Sequence, residues 1–156
     1  MKKDFQSGGA KKLARLAAVQ ALYQSSYEQD DLALILKQYT KDPSLVFNDD
    51  DTPFEITQKP DTALMGQIAH GVIKNKAALM AMVSGAVDQK MNATRMEKLL
   101  RAILLSGAFE LYNHTSIDAA LIISDYVDVT KAFFNGKEVG LVNAILDKLA
   151  QKLRGA

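Results

Sequence analysis

The chain has 156 residues, no Cys and no Trp, and 48% of it is hydrophobic. That length supports one domain with a core of its own, and the composition excludes general disorder, disulfides, thiolate metal sites and a cysteine nucleophile. The net charge of +1 hides an uneven distribution: residues 1–15 carry Lys2, Lys3, Lys11, Lys12 and Arg15 against Asp4, whereas residues 42–61 carry Asp42, Asp49, Asp50, Asp51, Glu55 and Asp61 against Lys59.

No apolar run that could serve as a signal-peptide core follows the first lysines, and no stretch approaches the roughly 18 apolar residues of a membrane helix. A cytoplasmic protein with no membrane association is therefore expected. Residues 1–9 read as a flexible basic tail and 10–156 as a single domain with an acidic loop near 40–61. All three prolines, Pro43, Pro53 and Pro60, fall in that loop, so the rest of the chain is free of the strongest helix breaker.

In chain order, the first expected helix runs from about Ala10 to Tyr27. Leu13, Leu16, Ala17, Gln20, Tyr23 and Tyr27 share one face, and Lys11, Arg15 and Leu22 share another. Asp30 and Asp31 suit the N-cap of a short helix over 32–39. Beyond the loop, Leu64, Ile68 and Val72 mark a helix over 62–76, and the run LMAMV continues it toward Val87. A strong helix starts near Asn92 or Thr94, with Leu100, Ile103, Leu104, Gly107 and Leu111 at helical spacing; Gly107 within it predicts the close approach of another backbone. Thr115 to Asp118 has the T-x-x-D form of a capping signal for a helix over 117–134, which Asn135 and Gly136 are suited to stop. Leu141, Ile145, Leu149 and Leu153 form the stripe of a last helix over 137–154. No segment alternates with period two. The expected fold is an all-α compact helical bundle without a sheet.

Catalytic chemistry finds few footholds. His70 and His114 have no metal-ligand spacing, and nucleotide-binding glycine loops and nucleophile elbows are absent from the sequence. Neither an enzyme, a cofactor nor a metal site is expected. Asp49, Asp50 and Asp51 lack the continuation of a calcium loop and read as a solvated turn. Glu110 borders the apolar stripe of the strongest helix, where a lone carboxylate is costly to bury, so a structural hydrogen bond or ion pair is expected for it. Lys11 and Arg15, four residues apart at a helix start, oppose the helix dipole and are better placed if an anion lies nearby, and Tyr23 and Tyr27 could stack on bases. Charge alone is equally satisfied by a solvated basic tail with core tyrosines.

Four segments taken together, ARLAAVQALYQ, LLRAILLSGAFEL, IISDYVDVTKAFF and LVNAILDKLA, resemble the NusB family of transcription antitermination factors from about Lys11 to Leu153. The resemblance implies a non-enzymatic, all-helical RNA-binding protein of two helical subdomains. Its implied partners are the small ribosomal protein NusE, boxA-type RNA of ribosomal RNA leaders, and the antitermination complex of RNA polymerase. It implies RNA contacts at Lys11, Lys12, Arg15, Gln20 and Tyr23, and at Lys137 and Asn143 beside the turn from Phe134 to Leu141. The chain departs from the family pattern at Ser124 and Asp125, at Leu141 and Ala144, at Asp118 and in having lysines for arginines near its start; lysine gives up bidentate phosphate recognition. Two alternatives are the RNA-recognition part of a ribosomal RNA cytosine methyltransferase and a protein-interaction domain that has lost RNA. A homodimer is a further expected partner state.

Overall fold

The computed structural model describes residues 3–4, 9–28, 31–47, 54–55, 59–87 and 96–155. Among these residues there are seven α-helices: α1 (Gly9–Glu28), α2 (Leu32–Lys41), α3 (Thr62–Lys74), α4 (Lys76–Ala86), α5 (Lys98–Asn113), α6 (Ala119–Phe133) and α7 (Lys137–Arg154), with a 3-10 helix at Pro43–Phe47. The all-α expectation holds. One correction is a two-residue parallel pairing of β1 (Lys3–Asp4) with β2 (Phe54–Glu55), too short to form a layer.

Helix α1 is buried on every side rather than on one stripe. From Lys12 to Val19 each residue is buried, and Arg15 and Leu22, expected on an outer face, are 1% and 5% exposed. Four of its five alanines, Ala14, Ala17, Ala18 and Ala21, are fully buried, and their small side chains let neighbours approach closely. It packs against α2, α3, α5 and α6. Helix α5 is its counterpart, buried continuously from Ala102 to Leu111 and packed against α1, α3, α4, α6 and α7. Thus α1, α2 and α3 form one half, α4 to α7 the other, and the contacts of α1 with α5 and α6 and of α3 with α5 make the seam.

Two glycines set helix spacing. A Cβ at Gly71 would lie 2.2 Å from Phe109 Cε1, so the ring of α5 sits on the backbone of α3. At Gly107 a Cβ would lie 2.8 Å from Leu146 Cδ2. The close approach expected there exists, but a leucine side chain of α7 makes it, not a backbone.

Helix boundaries follow local hydrogen bonds. Asp31 caps α2 by accepting from Ala33 N at 3.0 Å, and Asp61 caps α3 by accepting from Leu64 N at 3.0 Å. The expected continuous run after Thr62 is broken at Asn75, whose backbone N and Nδ2 both donate to Gly71 O, at 3.0 and 2.9 Å. Helix α5 starts at Lys98 with Glu97 as N-cap, so a start at Thr94 is corrected; Asn92 and Thr94 themselves lie outside the described residues, as do Asp30 and Asp49 to Asp51. Asp118 is the N-cap of α6 without a side-chain cap bond, so the T-x-x-D signal does not act as a capping box. Phe134 ends α6 and Gly136 is the N-cap of α7. At its far end α7 closes on Gly155, whose φ of 64° is the left-handed conformation glycine adopts without strain.

Candidate functional site

The most concentrated set of charges lies inside the seam. Arg15, carried by the fully packed part of α1, directs its guanidinium toward α5 and α6 because solvent is not within reach. Its Nε and Nη2 donate to the two oxygens of Glu110 at 2.7 and 2.9 Å, and Nη1 donates to Asp125 Oδ2 at 2.7 Å. Glu110 is fully buried and Asp125 is 3% exposed. The planar fork of arginine matches the first carboxylate bidentately and leaves an edge for the second.

Glu110 receives two further bonds. Tyr126 OH donates to Oε2 at 2.6 Å, and His114 Nδ1 lies 2.9 Å from Oε1. One turn before Arg15, Lys12 is 4% exposed and pairs with Asp128, with Asp125 Oδ1 3.9 Å away. Lys131 reaches Asp128 from the outside at 4.0 Å. The helical spacing explains the convergence: Lys12 and Arg15 are i, i+3 on α1, and Asp125 and Asp128 are i, i+3 on α6.

The electrostatics follow from this geometry. Burial pushes the Glu110 carboxyl up, but the bonds from His114, Arg15 and Tyr126 and the charge of Arg15 outweigh it and hold it below the usual carboxylate range. For Asp125 burial wins over Arg15 and Lys12, and its carboxyl sits above that range. Burial beside Glu110 also raises the Tyr126 hydroxyl, and hydrogen bonding to Glu110 holds Arg15 protonated despite its own burial. With the Glu110 oxygens all engaged, the set is suited to locking α1 onto α5 and α6. The ion-pair role expected for Glu110 is what the structure shows.

The loop after α5 is held by a second arginine. Arg154, at the end of α7, donates to Leu111 O at 3.0 Å, Ile117 O at 2.5 Å and His114 O at 2.9 Å. It satisfies carbonyls that the end of α5 leaves open and fixes the segment carrying His114.

The expected contact residues separate accordingly. Arg15 faces the buried carboxylates of Glu110 and Asp125, and Lys12 pairs with the partly exposed Asp128 beside Asp125, so the charge of both cations is spent within the protein. Lys11 is the exposed cation of α1, 3.6 Å from Asp61 with 64% of its side chain exposed. Gln20 is partly buried; its Nε2 donates to Leu45 O at 3.3 Å, and its Oε1 is buried without a partner among the described residues. Tyr23 is partly buried on the last turns of α1, and its carbonyl accepts from Ser26 Oγ at 3.0 Å. Lys137 and Asn143 are exposed on α7, in the other half of the molecule. The side chain of Tyr27 lies outside the described residues. Sequence reasoning flagged Arg15 and Glu110 separately and missed their union, as it missed Asp125, Tyr126, Lys12 with Asp128, and Arg154. The available signal was one long cation inside an Ala/Leu helix together with one acid on an apolar stripe.

Fold and site define a class: an all-helical scaffold of two halves, joined by a buried arginine that serves two acids. The chain belongs to the NusB family, whose model matches residues 12–151. It is similar to the transcription antitermination protein NusB of Rhizobium johnstonii, at 34% identity over 142 residues, 91% of this chain and 86% of that protein. It is also similar to the protein of the same name from Bartonella henselae, at 37% identity over 141 residues, 90% of this chain and 87% of that protein. Among solved structures, NusB of T. maritima matches with a TM-score of 0.71 and 19% identity, covering 97% of this chain and 94% of that chain. A chain from the crystal structure of antitermination factors NusB and NusE in complex with dsRNA matches with a TM-score of 0.71 and 17% identity, covering 90% and 96%. These two likenesses concern the fold.

Proposed function

We propose that this chain is an RNA-binding transcription antitermination factor of the cytoplasm that pairs with a NusE-type protein on boxA-type RNA and helps RNA polymerase read through terminators, without catalysing a reaction. The observation that carries the reading is the identity with relatives named transcription antitermination protein NusB, sustained over nine-tenths of the chain. A structural neighbour described in complex with NusE and RNA supports the partners. No helix among the described residues is long and apolar enough to cross a membrane, which agrees with a cytoplasmic site of action.

At residue level, the RNA contacts fall to groups that solvent reaches: Lys11 at the start of α1, Lys137 and Asn143 on α7, and the partly buried Tyr23. Lysines meet phosphates, whereas an aromatic ring and an amide can meet unstacked bases. Lys12 and Arg15 support this surface from beneath by fixing α1.

Titration of a boxA-like RNA with the protein, with and without a NusE-type partner and across salt, tests the reading. Saturable binding that tightens with the partner and weakens with salt is expected. Absence of saturable binding under both conditions overturns it.

A further inference from the structure

Between the first turns of α1 and α3 and the loop that joins α5 to α6 lies an open cavity of about 330 Å³. Small-molecule sites run from roughly 300 to 1,000 Å³, so it has room for one ligand of nucleotide size. Its wall is apolar where Leu64 of α3 and Ile117 of the loop meet it, and polar elsewhere. Arg154 holds the loop by its bonds to the carbonyls of His114 and Ile117, and Ile117 N donates to His114 O at 3.0 Å. The cavity is therefore formed before any ligand arrives.

The polar groups of the wall have bonding capacity left over. Asn113 Nδ2 donates to Phe109 O at 3.0 Å, which leaves Oδ1 to accept. His114 Nδ1 lies 2.9 Å from Glu110 Oε1. The Glu110 carboxyl lies below its ordinary value and is ionised at neutral pH, so it accepts and Nδ1 donates. Nε2 of the neutral ring is then an acceptor. Gln67, Thr115 and Ser116 line the same cavity and make no side-chain hydrogen bond among the described residues. At the rim, Lys11 Nζ lies 3.6 Å from Asp61 Oδ2 with 64% of its side chain exposed. An ammonium has three donors, so an anion can join Asp61 on it without displacing it.

The arrangement is a cation at the rim, fixed acceptors on the wall and an apolar surface beside them. A nucleotide has the matching parts: a phosphate, a base edge and a flat base face. Fixed acceptors call for a base edge that donates, which the amino groups of adenine, cytosine and guanine do and uracil, with a single N–H, does less well.

We propose that this cavity is a nucleotide-binding site: the phosphate lies on Lys11, the base lies against Leu64 and Ile117, and its amino edge donates to Asn113 Oδ1 and His114 Nε2, with Gln67 serving either polarity. The nucleotide is one residue of an RNA strand or a free mononucleotide. As an RNA subsite it rests on the RNA-binding reading, and as a mononucleotide site it does not.

The chain has two histidines, His70 and His114. His70 is exposed on α3 and does not line the cavity, so its ring signals are an internal control for those of His114 in proton–carbon spectra. CMP, AMP, GMP, UMP and ribose 5-phosphate are titrated into the full chain. The amino-bearing nucleotides are expected to shift the His114 ring saturably and leave His70 in place. UMP is expected to bind more weakly by about 2- to 12-fold, the fold-change of one hydrogen bond, and Q67A and N113A to weaken CMP by a like factor. The RNA arm uses a boxA-like RNA from which one base at a time is removed. If the site reads RNA, removal at one position weakens binding to the wild type and has no further effect on Q67A/N113A. That coupling without mononucleotide shifts, or those shifts without coupling, upholds the site and names the source of its nucleotide. Neither of them overturns the inference. So does equal affinity for UMP and CMP, or a His114 shift from ribose 5-phosphate as large as that from CMP, which marks a phosphate site only. If no RNA binds while CMP shifts His114, the functional reading fails and the site stands. If RNA binds without coupling and no nucleotide shifts His114, the reading stands and the site falls.

Discussion

Replacing Arg15 with Ala tests the seam directly. The substitution leaves Glu110, fully buried, and Asp125, 3% exposed, without the cation that both face. Breaking a buried pair by removing one partner costs about 3–5 kcal/mol, because the remaining charge stays desolvated. For a domain of this size each kcal/mol shifts Tm by about 2–4 °C, so a fall of about 6–20 °C is expected in a thermal melt followed by circular dichroism. The loss also depends on pH. In the wild type the Glu110 carboxyl lies below its ordinary value, so its contribution is complete above the unfolded-state pKa of about 4.3 and is lost as pH falls through the folded value. Asp125, raised by burial, has the opposite sign: its penalty at neutral pH is relieved as pH falls through its folded value. Without Arg15, Glu110 loses a hydrogen-bond partner and the charge that hold its carboxyl down, so acidification favours the variant relative to the wild type, in which only Asp125 gains as pH falls. The difference between the two proteins therefore narrows from pH 7 toward pH 4. Urea titrations at several pH values, with Arg15→Lys as a second variant that keeps charge but loses the fork, measure this. A loss under about 1 kcal/mol at pH 7, or one that stays constant with pH, refutes the role given to the cluster.

Lys12→Met is expected to lower stability with little change in the salt slope of RNA binding, since Lys12 already faces Asp125 and Asp128; denaturation and RNA titration on the same sample separate the two effects. Arg154→Ala removes four charged hydrogen bonds to carbonyls, the longest of them to Glu110 O at 3.5 Å, and is expected to cost about 1.5–3 kcal/mol, with faster amide exchange in residues 114–118. Gly71→Ala places a methyl group inside the Phe109 ring and is expected to cost about 1–3 kcal/mol. Gly107→Ala is expected to be milder by comparison, because a helix-propensity gain of about 1 kcal/mol offsets displacement of the Leu146 methyl groups. Equal losses at the two glycines would contradict that packing assignment.

Periodicity made the helices readable because burial repeats with the helical turn. Leu64, Ile68 and Val72, and Ile145 and Leu149 of the α7 stripe, end up in the core for that reason, whereas Leu141 and Leu153 at the ends of that stripe are only partly buried. It failed where a helix is enclosed: α1 has no outer face from Lys12 to Val19, so a wheel assigned Arg15 to a surface that does not exist. Boundaries failed where a single side chain decides them, as Asn75 does by turning back on Gly71. The site was legible only in halves. Arg15 and Glu110 each look misplaced in their own helices, and only tertiary contact shows that each resolves the other. Asp125 and Asp128 carry no local mark of their pairing, since an acid at i, i+3 on α6 is equally at home in water. The family resemblance located the fold, and burial then redistributed the cations between interior and surface.

The division of the basic start into interior and surface cations is tested most directly by the salt slope of RNA binding in K11A/K137A. The account predicts an unchanged unfolding midpoint and a slope shallower than wild type by about 1.4, about 0.7 for each lost phosphate contact. An unchanged slope, with the loss appearing instead in Lys12→Met, would contradict it.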